Sequence, residues 1–142
     1  MATDLHLRVV TPDRTVMDRK VKSVEFVGVD GSYGILPNHA PLMTATKPGI
    51  VTIHHTDGQT EEMLVTDGFA EMRDNVLSLI CQAGELASEI DQSRAAEAEE
   101  RARKKIAETT TKGGELPKAQ DALQRAVLRQ MLAKRSGTGN IR

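Results

Sequence analysis

Tryptophan is absent, and two phenylalanines and one tyrosine bring aromatics to only 2% of the 142 residues. The chain has little with which to stack on nucleic-acid bases, and its core must be built from Val, Ile, Leu, Met and Ala. A single cysteine, Cys81, excludes an internal disulfide and a multi-cysteine zinc site. Its place in the apolar run Val76, Leu77, Leu79, Ile80 points to a buried strand thiol rather than a reactive one. Charge of one sign is also lacking: 19 basic residues stand against 20 acidic ones, a net of -1. No global field draws the chain to nucleic acid or to anionic lipid. No run approaches the ~20 apolar residues of a membrane span, and Met1 to Val10 lacks the basic stretch and apolar core of a secretory signal. Membrane attachment is expected only through partners.

Up to about Cys81 the pattern is that of strands. Leu5, Leu7 and Val9 alternate with His6, Arg8 and Val10 before the turn Thr11-Pro12-Asp13, and a short strand-like run follows from Val21 to Val27. Gly28, Gly31 and Gly34 then lead into Ile35-Leu36-Pro37, read as backbone turning; no Lys-Ser or Lys-Thr pair follows to make a phosphate loop. Ile50 to His55 and Glu62 to Thr66 flank Asp57-Gly58, a hairpin pair, while Gly68 to Met72 and Val76 to Ile80 flank Arg73-Asp74-Asn75. Short strands with no helices between them predict an antiparallel sandwich or barrel over residues 1–84.

Past Gly84 the period changes. Ser88 with Asp91 resembles a capping box, and an Ala-rich charged helix is expected to about Glu108, its stripe being Ala95, Ala98, Ala102 and Ile106. Thr109 to Gly114 breaks it. Pro117 opens a second helix to about Arg135, with Ala119, Ala122, Leu123, Ala126 and Val127 on one face. Residues 85–142 therefore read as an antiparallel helical hairpin with a disordered tail from Ser136 to Asn140. The fold class is α+β in two parts. Because alanine seams bury little apolar area, the hairpin is expected to be marginal and able to change partners.

Few residues suggest chemistry. His54 and His55 are adjacent, so a strand sends them to opposite faces and a shared metal is awkward. His39, between Pro37 and Pro41, has no evident nucleophile or acid partner, and a small enzyme using it is the least supported reading. Helical spacing aligns Ile90, Arg94 and Arg101 on one face and Arg125 with Arg129 on another. Those guanidinium groups suit phosphate oxygens, but on composition alone solvated ion pairs with Glu97, Glu99, Glu100 or Asp121 are the favoured reading.

The run Gly34-Ile35-Leu36-Pro37-Asn38-His39-Ala40-Pro41-Leu42, with Val24-Glu25-Phe26-Val27 before it and Lys47-Pro48-Gly49 after it, resembles the signature of F-type ATP synthase epsilon subunits. Gly68-Phe69-Ala70-Glu71 with Asn75 is similar to the same family's closing β segment. The resemblance implies a non-catalytic rotor subunit of a proton-translocating complex, at the cytoplasmic face of a bacterial inner membrane. Its ten-stranded sandwich would bind the gamma subunit and the c-ring, with Leu36, Pro37, His39, Pro41 and Leu42 as the interface loop. A mobile hairpin would either fold against the sandwich or extend towards the alpha and beta subunits and inhibit hydrolysis. Ile90-Asp91-Gln92-Ser93-Arg94-Ala95 is similar to the family's ATP-sensing pattern. That likeness implies Glu85, Ile90, Asp91, Arg94, Arg101, Arg125 and Arg129 as nucleotide contacts, with ATP a regulatory ligand and no cofactor required. A stand-alone nucleotide sensor is the competing account. Three departures from the family pattern are Asn38 for a common glycine, tolerable because Asn accepts positive φ; Val29-Asp30 in a turn; and Gly84, expected as a loose hinge.

Overall fold

Alternation between buried and exposed side chains builds the first part of the molecule. Leu5, Leu7 and Val9 are fully buried whereas Arg8 is exposed, giving β1 (Leu5–Val10) one core-facing side. A computed structural model describes residues 2–90, 92–109 and 116–139. It divides into two units, Met1–Leu86 and Ala87–Arg142.

The first unit holds ten strands: β1; β2 (Thr15–Val21), β3 (Ser23–Gly28), β4 (Gly31–Ile35), β5 (Leu42–Thr46), β6 (Gly49–His54), β7 (Thr60–Val65), β8 (Gly68–Arg73), β9 (Val76–Cys81) and β10 (Gly84–Leu86). Their order is β10-β7-β6-β3-β5-β8-β9-β1-β2, with β4 added to β3. The expected antiparallel sandwich is what forms, with one parallel exception: β1 lies beside β9, pairing His6 with Val76 and Val10 with Ile80. Seventeen buried residues, among them Leu5, Phe26, Ile53, Met63, Met72, Leu77 and Cys81, make one core. Cys81 is a free, buried thiol whose ionisation burial pushes up.

The run expected from Val21 to Val27 is two strands broken at Lys22. There the chain leaves β1, where Val21 faces Leu5, and joins β6, where Ser23 faces His54. The glycine-punctuated stretch is itself a strand, β4, in a hairpin with β3, and Phe26 stacks on Tyr33 at 5.3 Å between ring centroids. The turn holding Val29-Asp30 is tied by Tyr33, whose hydroxyl donates to the Asp30 carboxylate at 2.8 Å. Asp57-Gly58 turns β6 into β7 with Gly58 at φ 89, and Asp74 and Asn75 turn β8 into β9 at φ 51 and 62. Gly84 is no hinge: it pairs with Val65, and a Cβ there would lie 3.3 Å from Val16 Cγ2. β10 thus carries the sheet past the expected boundary at residue 84.

The second unit begins with a single 3-10 turn at Ala87–Glu89, followed by α1 (Gln92–Thr109) and α2 (Leu116–Gly139). Ser88 sits in that turn rather than capping α1, and Asp91, its supposed capping partner, lies outside the described residues. α1 and α2 pack on each other, burying Ala95 and Ala102 of the first and Ala119 and Ala126 of the second. Glu99 of α1 accepts a hydrogen bond from Gln130 of α2, joining the first half of one helix to the second half of the other, as an antiparallel hairpin requires. Helix continues through Ser136 to Gly139, where a disordered tail was expected; Asn140 is outside the described residues.

Candidate functional site

Three places on the molecule carry candidate function, two on the sandwich and one in the hairpin. In the sandwich, residues 36–41 connect β4 to β5. Asn38 adopts φ 65, as its tolerance for that region predicted, and the His39 N–H donates to the Leu36 carbonyl at 3.2 Å to close the turn. Asn75 anchors the loop from across the sheet. Its side-chain oxygen accepts from the Asn38 N–H at 2.8 Å, and its amide donates to the Asp4 carbonyl at 2.8 Å. The Asn38 side chain in turn donates to the Ala2 carbonyl at 2.7 Å. So braced, the loop presents Leu36 at 64% exposure together with exposed His39 and Pro41, while Pro37 is half-buried and Leu42 packs on the core. His39 Nδ1 donates to the Ala40 carbonyl at 2.7 Å, which holds the ring against its own loop.

The sandwich also carries a surface that reading the sequence did not single out. Register sets Val10, Ile80, Phe69 and Ala45 side by side across β1, β9, β8 and β5. Phe69 is 59% exposed and Ile80 53%. Met43, on the same face one pair along, is 69% exposed, and Val29 reaches the row's end, donating its N–H to the Ala45 carbonyl. The signal was present as Phe69 and Ile80 on the outward phase of their strands. Only the register makes a patch of them. Contiguous exposed apolar side chains of this kind mark partner surfaces.

In the hairpin, a groove of about 380 Å³ runs between the helices. Ala98, Ala102, Ala119 and Ala122 line it beside Arg101, Lys105, Lys118, Arg125 and Arg129. Helical spacing therefore brings Arg101, Arg125 and Arg129 to one place, as the aligned faces suggested. Glu99 pairs instead with Arg103 at 2.7 Å and Glu100 with Lys104 at 4.0 Å, both at i,i+4. Arg94 is exposed and does not line the groove; Ile90 is half-buried after the 3-10 turn, and Asp91 lies outside the described residues. Glu85 belongs to β10, opposite Leu64, in the other unit. Lys105 and Lys118 join the groove although no motif had marked them.

Comparison with known proteins bears on both units. The profile of "ATP synthase, Delta/Epsilon chain, beta-sandwich domain" matches residues 4–87, and that of the "long alpha-helix domain" of the same chain matches residues 88–131. The chain belongs to the ATP synthase delta/epsilon family. The ATP synthase epsilon chain of Nitratidesulfovibrio vulgaris (strain DP4) is 37% identical over 129 residues, 91% of this chain and 95% of that one. That of Pelotomaculum thermopropionicum is 42% identical over 104 residues, 73% and 77% of the two chains. A chain in the cryo-EM structure of the Euglena gracilis mitochondrial ATP synthase, OSCP/F1/c-ring, shares the fold with a TM-score of 0.78 at 20% identity, covering 94% of this chain and 82% of that one. A chain of the Tetrahymena thermophila mitochondrial ATP synthase central stalk and c-ring gives 0.56 at 13% identity, over 90% and 95%. The epsilon-family resemblance of the 34–42 run is thereby supported over most of the chain. Among the described residues no helix is long and apolar enough to cross a membrane.

Proposed function

We propose that this epsilon-family chain is a non-catalytic subunit of the central stalk of a proton-translocating ATP synthase, peripheral at the cytoplasmic face of a bacterial inner membrane. The sandwich supplies the constant interface. The observation that carries this reading is the pairing of a braced, outward-facing loop with an apolar row on one small sheet unit: Leu36 at 64% exposure and Phe69 at 59% are otherwise unexplained. The loop meets the c-ring and the row meets the gamma subunit, so that rotation passes from ring to catalytic head through a rigid β body.

The hairpin supplies a conditional interface. Among its described buried side chains only Leu132 is larger than alanine, and alanine burial contributes little per residue, so modest differential contacts suffice to draw it towards alpha and beta subunits and to restrain hydrolysis. Truncation after Leu86, which keeps β10 in place, is expected to preserve assembly and raise basal hydrolysis in the reconstituted complex. Normal assembly with unchanged hydrolysis would sink the inhibitory role.

The cationic groove favours a regulatory nucleotide as an additional ligand, with ATP holding the two helices together and relieving inhibition. Calorimetry on the full chain is expected to show saturable ATP binding that weakens at least tenfold in Arg125→Ala, the scale of one lost charge-assisted contact. Absence of binding at millimolar ATP would leave the arginines as subunit contacts.

A further inference from the structure

The edge of a sheet exposes backbone groups with which another chain can pair, and proteins blunt such edges with charge, irregular pairing or short length. Among the described residues three strands pair with a single neighbour: β2 with β1, β10 with β7 and β4 with β3. β2 exposes Asp18, Arg19 and Lys20, with Arg19 on the inward phase between Met17 and Val21, and its register shifts between Val9 and Val10 of β1. β10 is three residues long. β4, Gly31-Ser32-Tyr33-Gly34-Ile35, has none of these devices: it carries no charge and its register with β3 is unbroken.

The direction of its free groups follows from β3. The Val27 carbonyl accepts from the Lys47 N–H, and the Val29 N–H donates to the Ala45 carbonyl, so both residues turn their backbone groups to the β5 side. That direction alternates along a strand, which turns Phe26 and Gly28 towards β4 and makes Phe26–Tyr33 and Gly28–Gly31 the hydrogen-bonded pairs. Ser32 and Gly34 therefore point their N–H and C=O groups away from the sheet. Among the described residues no backbone hydrogen bond reaches them there. A Cβ on Gly34 would meet nothing within 4 Å, so the space beside that residue is open.

We propose that this edge pairs with the same edge of a second copy of the chain, antiparallel, about a two-fold axis at Tyr33. Ser32 of each copy then faces Gly34 of the other, and backbone bonds exchanged in both pairs satisfy every group left free. The Ser32 side chain lies beside the bare face of Gly34, and no like charges meet because the strand has none. The same register brings Val29 of one copy within one residue of Leu36 of the other at both ends of the ladder. Those side chains are 49% and 64% exposed in the single chain. Neutrality, self-matching backbone groups and an apolar contact at each end together favour a second copy over an unrelated strand. Because Val29 and Leu36 also belong to the surfaces given above to gamma subunit and c-ring, the pair is a state of the free chain that excludes assembly; the exclusion rests on that reading, whereas the pairing does not.

The test is sedimentation equilibrium of the full chain from about 10 μM to about 1 mM, with amide exchange followed by NMR over the same range. Few backbone bonds and two small apolar contacts set the expected Kd at about 100 μM. Exchange at the Ser32 and Gly34 amides is expected to slow as concentration rises. Gly34→Pro removes an N–H that the single chain leaves unpaired, as edge strands tolerate, and Leu36→Ser leaves the strand itself untouched. Each is expected to weaken self-association at least tenfold, with the urea unfolding midpoint of Leu36→Ser unmoved. A chain still monomeric at about 1 mM would overturn the proposal, as would a dimer that persists in both variants while those amides exchange freely. Protection of Ser32 and Gly34 only when another stalk subunit is added would also overturn it, giving the edge to a different strand.

Discussion

Replacing Phe69 by serine separates a partner surface from a core position. Phe69 is 59% exposed, and a phenylalanine side chain offers roughly 200 Å², so about 120 Å² is available for a gamma subunit to cover. At about 25 cal/mol per Å² of apolar surface this corresponds to about 3 kcal/mol, or roughly 100-fold in Kd, as an upper value for complete coverage. Inside the free chain the loss is confined to the cross-strand contacts with Ile80 on β9 and Ala45 on β5, together about 1 kcal/mol. The assay is a paired one: affinity for immobilised gamma subunit by surface plasmon resonance, and urea unfolding of the free chain. The expected outcome is a large loss of affinity with an almost unmoved unfolding midpoint. Unchanged affinity in a stable variant would refute the assignment of the apolar row, and a collapse of stability would show that Phe69 is held as core.

Asn75→Gly keeps a residue suited to φ 62 but removes the side-chain bonds to Asp4 and Asn38. A stability loss of about 2 kcal/mol is expected from two such bonds, with faster amide exchange at Asn38; an unchanged exchange rate would mean the loop holds itself. Tyr33 is the only tyrosine, so absorbance at 295 nm reports it alone. Its hydrogen bond to the Asp30 carboxylate raises its pKa, with desolvation second, so ionisation is expected above the ordinary value of about 10 and nearer to it in Asp30→Asn. Since the folded value exceeds the unfolded one, this contribution to stability is complete below about pH 10 and is lost as pH rises through the folded value. Identical titrations of the two proteins would dispose of the Asp30 contact.

How far the sequence carried depends on how each element is held. The β6–β7 and β8–β9 hairpins were legible because alternation and turn residues agree, Asp57-Gly58 in one and Asp74-Asn75 in the other. β2 was missed because its inward phase is broken by polar residues: only Met17 and Val21 of Thr15–Val21 are buried. β4 and β10 were hidden by glycine and short length, and hydrogen bonds to β3 and β7, remote information to any local window, hold them extended. α2 outlasts its expected end because Gly137 and Gly139 read as breakers yet remain helical. At the candidate sites, spacing found Arg101, Arg125 and Arg129, since 3.6 residues per turn fixes a face. It could not find Lys105 and Lys118, whose membership depends on where the opposing helix crosses.

The parallel pairing of β1 with β9 has a consequence for how the chain is made. His6 cannot meet Val76 until β9 has left the ribosome, and at about 5–20 residues per second some 70 residues take roughly 4–14 s to emerge. Through that interval β2 alone flanks β1, and Leu5, Leu7 and Val9 wait for the rest of their core. Native closure of the sandwich is therefore a late event, set by translation rather than by local hairpin formation. During that wait the apolar side of β1 is the segment of this nascent chain most in need of shelter from aggregation.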